Sequence, residues 1–303
     1  MNRPSVRTVR RLALSSVVAN AAIVVTGGAV RLTSSGLGCP TWPRCTASTY
    51  TPTAAHAAHG VIEFTNRMLT FALTAVVVAT LVAVLRQLPR RTPLVRLAWL
   101  LVLGIPAQAV LGGITVLTGL NPWTVMAHFL LSMVLLAVAV ALHHRTGEGD
   151  GAPRTMVSAQ LRTLAYAVLA VVAVTLAVGT VVTGSGPHSG DPKAGRTGFD
   201  PASVSQLHAD LVMLLIGLSA ALWLALKAVG GPTRAAGVLV GVEAAQALVG
   251  WTQYFTHLPV VLVGVHLAGA CLVLIAAVRL VLSLRERPVL TGPDLSAPAL
   301  TAV

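Results

Sequence analysis

Charged side chains are scarce in this chain: only 10% of its 303 residues are Asp, Glu, Lys or Arg, and 55% are hydrophobic. This composition excludes a soluble domain of this size. The apolar residues form repeated runs of about 20, which is the length of a helix that crosses a bilayer. They also lack the alternation of polar and apolar residues that a membrane barrel requires. The sequence therefore predicts an all-α polytopic membrane protein.

The basic residues give the predicted protein an orientation in the membrane. All but five of the 21 lysines and arginines lie in the N-terminal segment, near the C-terminus or in the alternate loops between them. Such a bias predicts a multi-pass plasma-membrane protein with both termini in the cytoplasm. The net charge of +12 is then explained by basic residues that face membrane lipid on the cytoplasmic side. Nucleic acid is not expected as a partner. The expected spans are roughly 12–30, 57–84, 97–118, 124–143, 162–183, 204–226, 235–255 and 260–282.

The two halves of the chain share a sequence pattern. Gln108 begins the segment QAVLG in the third span, and Gln246 begins QALVG in the seventh. Each glutamine is followed 20 residues later by a histidine, His128 or His266. The repeat predicts two pseudo-symmetric four-helix bundles, residues 1–150 and 151–303, related by an axis along the membrane normal. The tail from about residue 286 is expected to be disordered.

Three histidines lie inside predicted spans, near their outer ends: His128, His208 and His266. Ionisable groups at this depth are costly and indicate function, although each could instead bond a neighbouring helix. Imidazoles on facing helices of a bundle suit the axial positions of a heme iron. Zinc is disfavoured because no carboxylate or thiolate accompanies His208 and His266. We therefore expect heme sites toward the outer half of the membrane.

The second span carries a polar stripe within the segment AAHGVIEFTNRML. At helical spacing, His59, Glu63, Asn66 and Arg67 fall on one face. Glu63 and Arg67 are four residues apart, so they can form an ion pair. Two interpretations follow: a structural ion pair, or a carboxylate that acts beside a substrate in proton transfer or charge stabilisation.

The repeat also assigns a counterpart to His208 in the first half. The separation from Asn66 to Gln108 is 42 residues, and that from His208 to Gln246 is 38 residues. From His59 to Gln108 the separation is 49 residues. Asn66 is therefore the better match to His208.

Cysteine is also rare, with three residues in the chain. Cys271 lies in an apolar run and is expected to pack there. Cys39 and Cys45 share the first outer loop, where an oxidising environment favours a disulfide between them. The alternative is a pair that takes part in thiol–disulfide exchange. The spacing does not match a CxxCH heme-attachment site, and two thiols alone make a poor zinc site.

A longer pattern resembles a known family. The segment GGAVRLTSSGLGCPTWPRC, the segment IEFTNR and one histidine in each of spans four, six and eight resemble heme A synthase from about residue 12 to residue 282. The resemblance implies an oxidoreductase that supplies the cofactor of cytochrome oxidase. It would convert heme O to heme A by oxidising a ring methyl to a formyl group through successive hydroxylations, with water as the oxygen source.

The resemblance also implies roles for particular residues. In the C-terminal half, a heme b cofactor would lie between His208 and His266. In the N-terminal half, His128 and the histidine of an E-x-x-H-R motif would flank the iron of the substrate heme O, and Glu63 would assist catalysis. Cys39 and Cys45 would form a disulfide or take part in redox exchange. The expected partners are the heme O synthase and an electron acceptor, and the sequence leaves open both a monomer and a homo-oligomer.

The chain departs from the family pattern at three places. Asn66 stands where the motif has its histidine, so the heme O iron could be contacted by His59, about 10 Å outward along the helix, or by His128 alone. The outer loop at about 184–203 lacks the second cysteine pair of some members. Ala209 and Asp210 follow His208, where an arginine is expected.

Two further expectations complete the sequence-based interpretation. Arg31 and Arg67 lie near the outer half of the membrane, where guanidinium groups could pair with heme propionates. The alternative to a synthase is a diheme b-type electron-transfer protein without chemistry on the porphyrin. A transporter or heme carrier is the third possibility, favoured by the repeat alone.

Overall fold

The computed structural model describes residues 3–54 and 57–288, and eight long helices make up most of this part of the chain. Each helix is long and apolar enough to cross a membrane, so the prediction of an all-α polytopic fold is confirmed. The helices extend beyond most of the predicted spans. They are α1 Val6–Leu32, α2 Ala57–Arg86, α3 Thr92–Leu117, α4 Pro122–Thr146, α5 Ala159–Ser185, α6 Pro201–Ala228, α7 Thr233–Phe255 and α8 Val260–Ser283.

The helices form two rings of four. In the first bundle, α1 and α3 each pack against α2 and α4, and in the second bundle α5 and α7 each pack against α6 and α8. The even-numbered helices therefore face each other across each ring. The bundles meet where α4 packs against α5 and α8, and where α1 packs against α8. This arrangement confirms the two predicted four-helix bundles.

Side-chain caps mark the beginnings of α4 and α6. The side chain of Asn121 accepts a hydrogen bond from the N–H of Trp123 at the start of α4. Asp200 accepts one from the N–H of Ser203 at the start of α6, and the hydrogen bonds from Ser203 lower the pKa of Asp200. Both helices begin with proline, whose missing N–H costs nothing there. These caps set the depth of the histidines, which lie about two turns further along.

The end of the molecule that carries the N-terminus also carries a small antiparallel sheet. Strand β1, Arg154–Thr155, pairs with strand β2, Arg285–Glu286. The N–H of Gly151 continues this contact by donating to the carbonyl of Pro288. The sheet therefore joins the α4–α5 loop to the end of α8. Residues 289–303, which make up most of the predicted disordered tail, lie outside the described residues.

Candidate functional site

One polar side chain on each even-numbered helix holds the same register relative to the buried face of that helix. These side chains are Asn66, His128, His208 and His266. In every case the residues seven, eleven and fourteen positions further along are buried, so the four side chains point toward the bundle interiors. The buried sets are Leu73, Val77 and Thr80; Leu135, Ala139 and Leu142; Leu215, Ser219 and Leu222; and Val273, Ala277 and Leu280.

A glycine on the preceding helix lies against each of these four side chains. A Cβ atom built on any of the three glycines that face a histidine would lie 3.0–3.2 Å from Cε1 of the ring. The missing side chain therefore lets the imidazole rest on the neighbouring helix. The Nδ2 atom of Asn66 is more loosely placed, 3.8 Å from the equivalent position. The pairs are Gly27–Asn66, Gly112–His128, Gly179–His208 and Gly250–His266.

The second bundle brings two histidines together. The ring centroids of His208 and His266 are 6.4 Å apart, and the ring planes differ by 69°. Imidazole nitrogens bind a metal at about 2 Å, so two rings on opposite sides of one metal have centroids about 6 Å apart. The Nδ1 atoms of both rings are buried, and that of His266 has no hydrogen-bond partner among the described residues. The pair therefore fits the two axial positions of one heme.

The described residues contain no group of three or more His, Cys, Asp or Glu side chains that could hold a metal ion. A metal at His208 and His266 would therefore need most of its ligands from another molecule. A porphyrin supplies such ligands and leaves the two axial positions for imidazoles.

The repeated glutamines contact the histidines that follow them. In the second bundle, Nε2 of Gln246 donates to the carbonyl of His266 at 2.7 Å. In the first, Nε2 of Gln108 donates to the carbonyl of His128 at 3.2 Å and to Oγ of Ser132 at 2.6 Å. The spacing of 20 residues thus corresponds to the same interhelical contact in both halves.

Glu63 is buried at the end of the first bundle opposite the N-terminus. Its Oε2 atom accepts a hydrogen bond from the N–H of Cys39 at 2.6 Å, and its Oε1 atom accepts one from Nε of Arg67 at 3.1 Å. Arg67 also donates to the carbonyls of Cys39, Thr41 and Arg44. The ion pair expected from the spacing is formed, and it fastens the first outer loop to α2.

The first outer loop is closed by a disulfide between Cys39 and Cys45, as predicted. Gly38 lies so close to the backbone of His59 that a Cβ atom there would overlap it. The indole of Trp42 lies against Gly113 of α3 in the same way. The disulfide loop, residues 33–54, therefore covers the end of the first bundle between α2 and α3.

His59 occupies a different position from the interior histidines. It lies in the first turn of α2, is exposed, and its Nδ1 atom is 2.9 Å from Oγ of Ser35. Seven and eleven positions further along, Asn66 and Thr70 are only partly buried, so His59 lacks the register of the interior set. The structure does not bring it into the bundle interior.

The arginines expected near heme propionates bond to the protein. Nε of Arg31 donates to the carbonyl of His188 at 2.6 Å, and Nη2 donates to the carbonyl of Thr183 at 3.0 Å. Arg67 is engaged by Glu63 and by the disulfide loop. Contact of either arginine with heme stays a prediction. Cys271 is buried and free, in agreement with its predicted packing role.

Sequence reasoning missed one buried carboxyl group. Glu243 on α7 is 3% exposed, and its Oε1 atom accepts a hydrogen bond from Oγ of Ser219 at 2.9 Å. Its Oε2 atom is buried and has no partner among residues 3–54 and 57–288. The signal was present, because Glu243 is the one Asp or Glu in the apolar segment of α7.

The fold and the site define a polytopic membrane protein with a histidine pair in one bundle and a disulfide-capped polar site in the other. Residues 10–188 match the family model described as cytochrome oxidase assembly protein, COX15-CtaA. The chain therefore belongs to this family. The match includes Cys39, Cys45, Glu63, Asn66 and His128, and it ends before α6.

Two curated relatives are both heme A synthases. The protein from Geobacillus kaustophilus is 29% identical over 148 residues, which are 44% of this chain and 45% of the relative. The protein from Shewanella oneidensis is 28% identical over 179 residues, which are 54% of this chain and 51% of the relative. The chain thus spans about half the length of the curated relatives it matches. The resemblance found in the sequence is confirmed.

Proposed function

We propose that the protein is a heme A synthase, an oxidoreductase that converts a ring methyl of heme O to the formyl group of heme A by successive hydroxylations. The observation that carries the proposal is the common register of four polar side chains in two unlike bundles. One bundle pairs His208 with His266, and the other places His128 and Asn66 beneath the disulfide loop. The names of the two relatives support the same activity.

The second bundle is the proposed cofactor site. His208 and His266 bind the iron of heme b, which supplies one-electron transfer when bound. Gly179 and Gly250 allow the rings to lie against α5 and α7, and Gln246 holds the backbone of α8 at His266. These contacts keep the two imidazoles facing each other across the ring.

The first bundle is the proposed substrate site. His128 binds the iron of heme O, and Glu63 accepts a proton beside the reacting group. A carboxylate has about four acceptor sites, and Oε2 of Glu63 uses one of its own for the N–H of Cys39. A site on Oε2 therefore remains for a proton donor, while Arg67 compensates the negative charge on the other oxygen. The disulfide loop limits the access of bulk water to this carboxylate, which is 6% exposed.

The orientation and partners follow from the same proposal. The basic residues on one side and the disulfide on the other support cytoplasmic termini and heme sites in the outer half of the membrane. Hydroxylation with oxygen from water releases electrons and protons. The reaction therefore requires an electron acceptor, and a heme O synthase is the enzyme that supplies the substrate.

Extraction of the pigments from purified protein tests the proposal. The protein is produced in cells that also contain a heme O-making enzyme, and the bound hemes are separated by chromatography. We expect heme b together with heme O, a hydroxylated intermediate or heme A. Heme b alone under these conditions would contradict the synthase.

One observation favours a second function, a diheme b-type electron-transfer protein. Both carboxylate oxygens of Glu63 are already bonded, one to Cys39 and one to Arg67, as expected of a structural ion pair that fastens a loop. Pure electron transfer needs no carboxylate at the porphyrin edge. The same extraction separates the two functions, because only a synthase yields a modified porphyrin.

A further inference from the structure

We infer that the first bundle binds the iron of heme O through His128 alone, and that Asn66 faces the opposite axial position and holds a water molecule there. The inference rests on the proposed function and deepens it. It assigns the substrate site an open iron coordination position, whereas both axial positions in the second bundle are taken by histidines.

The first support is the position of Asn66 in its bundle. Asn66 precedes the buried residues Leu73, Val77 and Thr80 by the intervals that separate His208 from Leu215, Ser219 and Leu222. Both α2 and α6 are the second helices of their bundles. Each also presents its polar side chain to a glycine of the preceding helix. Asn66 therefore stands where the second bundle has an iron ligand.

The second support is the chemistry of the Asn66 side chain. Its Oδ1 atom is buried and has no hydrogen-bond partner in the part of the chain that the structure describes. Buried amide oxygens are normally bonded, so this atom indicates a donor that arrives with a ligand. Protein ligands of heme iron are usually His, Cys, Met or Tyr, and an amide oxygen is not among them. A water molecule between Asn66 and the iron supplies the required donor.

The third support is that no other described histidine replaces Asn66. His59 is seven residues away, about 10 Å along the helix axis, and is held at the surface by Ser35. The disulfide loop packs on its backbone at Gly38 and restricts its movement. The iron thus keeps one protein ligand, and the open position lies about one helical turn from Glu63, the proposed proton acceptor.

Spin state and ligand binding test the inference without reference to turnover. In purified protein that contains heme b and heme O, we expect one low-spin heme and one high-spin heme by electron paramagnetic resonance. After reduction, only the high-spin heme should bind carbon monoxide. In N66H a second imidazole reaches the open position, so the high-spin signal should become low-spin and carbon monoxide binding should fall at least about tenfold.

Two further variants keep the test decisive. H59A should leave both signals unchanged, and N66L should keep a heme that binds carbon monoxide. The unchanged low-spin signal of heme b serves as the folding control in each variant. A wild-type protein that contains heme O in low-spin form, with that form lost in H59A, would overturn the inference and leave the proposed function standing. Absence of heme O from the extracted pigment would overturn both.

Discussion

The two bundles share one architecture and differ in what surrounds their polar side chains. Both place a side chain from each even-numbered helix at the same register, and both have a glutamine that bonds the backbone of a histidine. The second bundle pairs His208 with His266. The first has His128 and Asn66 at the corresponding positions, and its disulfide loop is bonded to Glu63. One changed side chain and the disulfide of the first outer loop therefore distinguish a proposed substrate site from a proposed cofactor site.

The buried carboxyl groups extend this comparison. Glu63 in the first bundle is bonded to the disulfide loop and to a guanidinium. Glu243 in the second bundle has Ser219 as its hydrogen-bond partner and forms no ion pair in the described part of the chain. Burial of a carboxyl group is thus common to both bundles, whereas contact with a loop and an arginine belongs to the first. Matched variants can test whether function follows that difference.

The largest effect is expected when a histidine of the second bundle is removed. In H266A the heme b iron loses an axial ligand, so the low-spin spectrum should disappear completely. In H128A that spectrum should remain, because the altered side chain lies in the other bundle. The measurement is absorption and electron paramagnetic resonance of the purified proteins. An unchanged low-spin spectrum in H266A would rule out the assignment of this ligand.

An intermediate effect is expected from the two buried carboxyl groups. E63Q keeps an acceptor for the N–H of Cys39 but cannot accept a proton, so heme A formation should fall by about 10²–10⁴-fold with heme b still bound. E243Q keeps an acceptor for Ser219 and should form heme A at a rate close to that of the unaltered protein. Heme A yield after co-expression with a heme O-making enzyme measures both. A normal yield from E63Q would show that Glu63 has a structural role and no catalytic one.

The smallest effect is expected from glycines of α7. A Cβ atom at Gly250 would lie 3.2 Å from the ring of His266, whereas a Cβ atom at Gly241 would meet nothing within 4 Å. Both G250A and G241A favour the helical conformation by about 1 kcal/mol. Only G250A should rotate or displace the imidazole, and therefore shift the low-spin resonance signal. Identical signals in the two variants would show that the glycine contact does not orient the ligand.

The sequence predicted those features that have a regular spacing. The spans follow from apolar runs of bilayer length, the repeat follows from Gln108 and Gln246, and the disulfide follows from two cysteines in one outer loop. Contacts with backbone carbonyls leave no comparable pattern. The bonds from Arg67 to the disulfide loop and from Arg31 to the second bundle depend on how irregular segments fold. Sequence reasoning therefore singled out these arginines but not their backbone partners, and their contact with propionates stays a prediction.

The register of Asn66 was predictable in part. Separations along the sequence already favoured it over His59 as the counterpart of His208. They could not decide the matter, because the part of the helix that precedes the glutamine is longer in α3 than in α7, and the preceding connection also differs in length. The buried residues that follow each side chain give the stronger criterion, since they measure position on the helix itself. Gly112 and Gly250 end the repeated segments QAVLG and QALVG, 16 residues before His128 and His266, so these two contacts had a regular spacing that sequence reasoning did not use.

Arg31 connects the two bundles. It ends α1 of the first bundle, yet its guanidinium donates to the carbonyls of Thr183 and His188 in the second. His188 in turn contacts the carbonyl of Leu258 in the loop before α8. A first bundle produced alone would lose both acceptors and would expose this guanidinium at the end of α1. The halves share one sequence pattern and are joined by these contacts, so we expect a split version of this protein to require both pieces together.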